Sequence, residues 1–195
     1  MSFYWQKLLK PAVFLLCMTP TIYLLIGAYT MDLGANPVEY LAHRTGDWAL
    51  RFLLIVLAMT PLRRISGWRF PIHLRRMLGL FAFYYITVHL LIYAVLDLAL
   101  DWSFLLEDIL ERPYITIGFT AWVLLIPLAI TSTNKMMRRL GKRWKQLHKL
   151  VYLIGLLGVV HYWWLVKKDL QEPIIYAGVF LLLMAMRWKK KGAVT

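Results

Sequence analysis

The sequence contains a single cysteine, Cys17, and this residue lies inside a long apolar run. One thiol cannot supply a disulfide framework or a CxxC redox pair, and the CxxCH signature that attaches haem covalently is also absent. Any haem in this protein must therefore be of the b type, held by its axial ligands alone.

Acidic residues are scarce, since ten Asp and Glu stand against 23 Lys and Arg. The resulting net charge of +13 suits either a nucleic-acid binder or a membrane protein with basic cytoplasmic loops. Hydrophobic residues make up 61% of the chain, well above the roughly 45–50% of a soluble domain. This surplus favours the membrane protein.

Six apolar segments approach the roughly 20 residues that a helix needs to cross a bilayer. They are residues 11–30, 48–62, 77–96, 113–134, 150–166 and 173–188. The first lacks an A-x-A-like cleavage site, so we interpret it as a membrane anchor and not as a signal peptide. The sequence thus predicts an all-α integral membrane protein, a six-transmembrane-helix bundle forming a single domain over residues 1–195.

The charged residues divide unevenly between the two ends of these six spans. One side carries eighteen of the 23 basic residues and no acid, while the other carries five basic residues and all ten acids. Cytoplasmic loops of membrane proteins are enriched in Lys and Arg. We therefore predict a bacterial inner-membrane protein with both termini in the cytoplasm, and the charge no longer argues for nucleic acid.

Histidine is rare within membrane spans and is a functional candidate when it occurs there. His89 lies thirteen residues beyond Arg76 in the third span, and His161 lies thirteen residues beyond His148 in the fifth. Thirteen helical residues rise about 20 Å, so both imidazoles should lie at the same depth. Two such histidines on facing helices can supply both axial ligands of one haem.

His148 lies too far from His161 along the helix to ligate the same iron. It either binds a second, inner haem, for which His73 is the only other histidine at that depth, or it is an interfacial residue. Arg75 and Arg76 lie at the same level and suit haem propionates, because guanidinium groups pair well with carboxylates. His43 lies in an outer loop, where a simple loop histidine and a quinone-site residue are the two alternatives.

Residues 135–149 and the start of the fifth span place Leu140, Trp144, Leu147 and Val151 at helical spacing between basic side chains. This pattern predicts one amphipathic helix at the membrane surface. Attraction to anionic lipid explains it more simply than a docking surface for an electron donor does.

Several longer runs carry a resemblance to a known family. They are RRMLGL before His89, ERPYITIG, TSTNKMMRRLGKRW, QLHKLVYL and HYWWLVK around His161. These runs closely resemble the haem-binding membrane subunits of bacterial methionine-sulfoxide reductase systems, within the ferric-reductase-like transmembrane superfamily. Many members of that superfamily hold two stacked haems between paired histidines. Here the third span offers only His89, with Arg75 and Arg76 where an inner partner is expected.

The resemblance implies a specific electron path. It implies that electrons come from the quinone pool or a cytoplasmic flavin reductase and pass to a periplasmic molybdopterin methionine-sulfoxide reductase. It also implies an association with FMN, although the sequence shows no Gly-rich loop that would cradle a flavin phosphate. Two alternatives stay open: a cytochrome b anchor or ferric reductase of another pathway, and a non-redox transporter whose histidines relay protons.

Overall fold

The computed structural model describes residues 3–68, 70–166 and 169–188, and these parts of the chain are helical apart from short connections. The helices are α1 (Phe3–Tyr29), α2 (Pro37–Ser66), α3 (Phe70–Leu91), α4 (Trp102–Glu111), α5 (Pro113–Ile130), α6 (Asn134–Leu140), α7 (Lys142–Leu147), α8 (Leu150–Leu165) and α9 (Gln171–Trp188). A π-helical turn, Ile92–Asp97, continues α3. The prediction of an all-α fold is confirmed over the described residues.

Among the described residues, three segments are long and apolar enough to cross a membrane, namely Leu9–Tyr29, Phe70–Asp97 and Pro113–Ile130. They correspond to the first, third and fourth predicted spans. Helices α2, α8 and α9 cover the other three, and α8 has only 16 residues. The six-span count therefore stays a prediction.

Several helix ends follow from local sequence. The side chain of Asn36 accepts a hydrogen bond from the amide of Glu39, and Pro37 opens α2 with a backbone already suited to a first turn. Helix α2 ends at Ser66, and the following Gly67 has a φ of 68°, a left-handed conformation that glycine adopts without strain. As a result α2 is 30 residues long and extends well beyond the predicted span 48–62 on both sides.

Two helix pairs form the body of the bundle: α2 packs along α3, and α5 packs along α8. Stacked aromatic rings fill the first interface, where Phe52 lies 5.2 Å from Tyr85 and 5.6 Å from Phe81, centroid to centroid. The Tyr85 hydroxyl donates to the carbonyl of Cys17, which ties α1 to this pair. We call the ends of the helices that carry the acidic connections the outer end of the bundle.

The predicted single amphipathic helix over residues 135–149 is wrong. The chain forms two short helices there, α6 and α7, which are separated at Gly141. Gly141 has φ 51° and ψ −119°, a conformation that side-chain-bearing residues rarely adopt. The spacing of apolar residues indicated helical structure correctly, but it carried no information about the backbone at the glycine.

Candidate haem site

His89 and His161 face one another near the outer end of the bundle. His89 lies on α3, two residues before its regular helix ends, and His161 lies on α8, four residues before its end. Their ring centroids are 6.3 Å apart and their planes make an angle of 79°. An imidazole nitrogen lies about 2 Å from a metal ion that it ligates, so two rings on opposite sides of one ion have centroids about 6 Å apart. The observed spacing agrees with this value.

Each of these rings is bonded to a backbone carbonyl of the neighbouring helix. Nδ1 of His89 lies 2.8 Å from the carbonyl oxygen of Ala42, and Nδ1 of His161 lies 2.7 Å from that of Tyr114. A carbonyl oxygen can only accept, so both Nδ1 atoms must carry the proton. In the neutral imidazole the lone pair then resides on Nε2, which is the atom available to a metal ion.

A cavity of about 440 Å³ lies between α2, α3, α5 and α8, and both histidines line it. Its walls are mainly apolar, including Leu53, Ile86 and Leu125. Cofactor sites have volumes of about 300–1,000 Å³ and place a few polar groups on apolar walls. A planar apolar macrocycle with two axial nitrogen ligands fits this cavity and its donor set.

The outer end of the cavity contains an arginine that the sequence analysis did not single out. Arg112 lines the cavity in the turn between α4 and α5, and its Nε lies 3.0 Å from Oδ1 of Asp108. The hydroxyl of Tyr93 donates to the other oxygen of that carboxylate. In the sequence, the only feature that pointed to Arg112 was its position inside the run ERPYITIG.

A second, open cavity of about 420 Å³ adjoins the first at the outer end. Both cavities share His43, Glu39 and Asp47 among their lining residues. Asp47 is buried and lies 3.6 Å from Arg44 and 3.9 Å from Arg51, measured from carboxylate oxygen to guanidinium nitrogen. Burial raises the pKa of the Asp47 carboxyl group despite the neighbouring Arg51. His43 thus faces a polar opening beside the candidate haem cavity.

His148 lies outside this site, in the turn before α8. Its ring stacks on Trp144 with the centroids 3.9 Å apart, and its Nε2 lies 3.1 Å from the hydroxyl oxygen of Thr131. The Thr131 hydroxyl donates to the carbonyl of Pro127, so Nε2 of His148 acts as the donor to Thr131. Burial lowers the pKa of this imidazole. A role as ligand of an inner haem stays a prediction, and ligation through Nε2 would require that atom to leave Thr131.

Arg75 and Arg76 also lie toward the inner end, and neither lines the cavity between His89 and His161. Arg75 donates to the hydroxyl of Thr60 on α2, and Arg76 donates to the side-chain oxygen of Asn134 on α6. Their predicted contact with propionates of an inner haem stays a prediction.

Known proteins are similar to this chain in sequence. Residues 45–159 match the family described as "Ferric reductase like transmembrane component". The chain is 59% identical over 162 residues to a Xanthomonas oryzae pv. oryzae (strain MAFF 311018) protein named "Protein-methionine-sulfoxide reductase heme-binding subunit MsrQ", covering 83% of this chain and 74% of that one. A Herminiimonas arsenicoxydans protein of the same name is 48% identical over 192 residues, covering 95% and 88%.

The region matched by the family model includes α3 with His89, all of α5, and α8 to just before His161. The apolar helices and this match define the class of protein, an all-helical membrane protein of the ferric-reductase-like kind. The chain belongs to the ferric-reductase-like transmembrane family and, within it, to the MsrQ proteins.

Proposed function

We propose that this protein is the haem b subunit of a bacterial methionine-sulfoxide reductase system and carries electrons across the inner membrane. The observation that carries the proposal is the facing pair His89 and His161, with ring centroids 6.3 Å apart across one cavity. The names of its relatives specify a haem-binding subunit of that reductase.

His89 and His161 would hold the haem through their Nε2 atoms, because the carbonyls of Ala42 and Tyr114 occupy both Nδ1 protons. A haem bound there supplies reversible one-electron chemistry at its iron. The apolar walls would keep water away from the two Nε2 atoms. Arg112 is suited to a propionate at the outer end, since a guanidinium pairs with a carboxylate in a planar, doubly hydrogen-bonded geometry.

The direction of electron flow follows from the proposed topology. With the basic loops in the cytoplasm, the outer end of the bundle faces the periplasm, and the cavity between the histidines lies close to it. The catalytic partner, a periplasmic molybdopterin methionine-sulfoxide reductase, would receive its electrons there. The quinone pool or a cytoplasmic flavin reductase would supply them.

Reduction of a sulfoxide needs a substrate pocket with a two-electron centre, and the only thiol in this chain is Cys17, buried in α1. The chemistry therefore belongs to the partner. The predicted outer side of the chain carries all ten acids against five basic residues, so a basic patch on the partner would be attracted to it, and added salt would weaken that attraction.

Two measurements on the purified protein test the proposal. A reduced-minus-oxidised spectrum should show a low-spin b-type haem that acid-acetone extraction removes from the chain. The reduced protein alone should not reduce sulfoxide, but adding the periplasmic reductase and sulfoxide should reoxidise the haem in rapid-mixing absorbance. Haem that stays reduced with active partner and substrate present would reject this pathway, and a protein without haem bands would reject the redox role.

A further inference from the structure

The two histidines contact their neighbouring helices in the same way. On α2, the carbonyl of Ala42 accepts from His89, and Gly46 follows one helical turn later. On α5, the carbonyl of Tyr114 accepts from His161, and Gly118 follows one turn later. Both histidines lie 47 residues beyond the carbonyl that holds them. Each imidazole therefore contacts a backbone carbonyl and a glycine that lie one turn apart on the neighbouring helix.

The glycines matter because the imidazoles lie directly against them. A Cβ atom added to Gly118 would come within 2.8 Å of Nδ1 and Cε1 of His161, and one added to Gly46 would lie 3.2 Å from Nδ1 of His89. A methyl group at either position would push the ring away from the carbonyl one turn earlier. The contact at Gly118 leaves no room, whereas a shift of a few tenths of an ångström relieves the one at Gly46.

We propose that Gly46 and Gly118 are positioning residues for the two axial haem ligands. By leaving space for each ring, they allow its Nδ1 proton to reach the carbonyl, which fixes the tautomer and directs the lone pair of Nε2 into the cavity. They also fix the rotation of each ring, and so the angle of 79° between the two planes. This inference rests on the proposed function, because the rings need a haem iron to ligate.

The hydrogen bonds and orientations of the two imidazoles have two measurable consequences. A bond from Nδ1–H to a carbonyl makes an imidazole a stronger electron donor, which stabilises ferric iron and lowers the midpoint potential. The relative orientation of two axial imidazole planes determines the anisotropy of the EPR signal of low-spin ferric haem. The wild-type protein should therefore give the strongly anisotropic signal of nearly perpendicular ligands.

The chain offers matched controls for an alanine test. A Cβ at Gly155 would meet Cε2 of Phe180 at 2.8 Å, the same close contact as at Gly118 but with no histidine involved. A Cβ at Gly178, on α9, would meet nothing within 4 Å. The variants Gly118→Ala, Gly46→Ala, Gly155→Ala and Gly178→Ala are purified as the full chain, and haem affinity, midpoint potential, EPR spectrum and thermal unfolding are measured for each.

Gly118→Ala should weaken haem binding by about 10–100-fold, the usual effect of removing a partner that orients a metal ligand. Its midpoint potential should shift in the positive direction and its EPR anisotropy should fall, and Gly46→Ala should show the same changes more weakly. Gly155→Ala should lower thermal stability without altering the bound haem. Gly178→Ala should leave the bound haem unaltered and should not lower thermal stability, because alanine favours a helix interior over glycine.

If Gly118→Ala binds haem with the potential and EPR spectrum of Gly155→Ala, the positioning role is rejected while the proposed function stands. If the Gly118→Ala protein does not accumulate, the test uses Gly46→Ala. An EPR spectrum of Gly46→Ala identical to that of the wild type rejects the positioning role of Gly46. A wild-type protein without haem rejects the proposed function itself and removes the basis of the inference.

Discussion

Arg187, in the last turn of α9, donates a hydrogen bond to the backbone carbonyl of Leu57 in the middle of α2. In a regular helix this carbonyl would accept from the amide of the residue four positions later. That residue is Pro61, which has no amide proton. The guanidinium of Arg187 therefore replaces the missing helical donor and joins the inner ends of α2 and α9.

Removing this guanidinium should leave a buried carbonyl without a partner. We expect Arg187→Ala to lower the free energy of unfolding by about 1–3 kcal/mol. In a Pro61→Ala background the new backbone amide can bond to the Leu57 carbonyl. Arg187→Ala should then lower the free energy of unfolding by less, and the difference between the two backgrounds should be about 0.5–3 kcal/mol. Denaturant titration in detergent measures the cycle. Equal costs in both backgrounds would show that Arg187 acts mainly through its bond to Tyr152.

Loss of either facing imidazole should remove the same haem. His89→Ala and His161→Ala should each abolish the low-spin spectrum, because both rings ligate one iron and the centroid spacing of 6.3 Å fits a single ion. Haem content per protein and the visible spectrum measure this. His148→Ala is the comparison: it should keep this spectrum, and the loss of a further haem equivalent would reveal an inner haem. Full haem with an unchanged spectrum in His89→Ala would contradict the pairing.

Reporter fusions should place the two ends of the bundle on opposite sides of the membrane. Alkaline phosphatase should be active when fused after Glu107, on α4 at the outer end, and inactive when fused after Lys142, beside Gly141. The charge asymmetry is the physical reason. A fusion after Gly34, in another outer connection, should behave like the first. The opposite pattern at all three positions would reverse the proposed direction of electron flow.

The buried carboxylate of Asp47 should make stability depend on pH. Its neighbouring charged groups are His43, Arg44, Arg51 and Glu172. Burial holds the pKa of this group above its ordinary value of 3.8 in the folded state, so the folded protein retains the proton longer than the unfolded chain as pH rises. This group therefore lowers stability as pH increases from 3.8 through its folded-state pKa.

Asp47→Asn should reduce the loss of stability with rising pH. Thermal unfolding measured across the acidic range would show this. Glu107→Gln, at an exposed acid on α4, is the control and should leave the profile unchanged. A profile for Asp47→Asn with the same slope as wild type would mean that Arg44 and Arg51 hold the carboxylate ionised throughout.

The sequence predicted the relationship between His89 and His161 because it depends only on regular geometry. Both lie thirteen residues along the chain from residues predicted at the same membrane face, and a nearly constant rise per residue brings them to one height. The structure places their rings 6.3 Å apart. The all-helical fold followed in the same way from apolar segments of sufficient length. Their role as haem ligands stays a prediction.

Features that depend on which helices are neighbours were not predictable from one sequence. Gly46 and Gly118 are ordinary glycines until α3 and α8 bring an imidazole against each of them. Arg112 lines the cavity only because α4 and α5 fold back over its outer end. The break at Gly141 depends on a backbone conformation that the spacing of apolar side chains does not reveal.

The position of the two imidazoles near the outer end of the bundle also determines how much of the membrane potential an electron crosses to reach them. Moving one elementary charge through a potential of 100 mV is worth about 2.3 kcal/mol. In the proposed topology, an electron that enters at the cytoplasmic face and ends beside His89 would cross most of the insulating layer, toward the positive side. A cytoplasmic donor would therefore make the repair of oxidised proteins discharge the membrane potential, whereas a quinol oxidised near the outer end would leave that potential almost untouched.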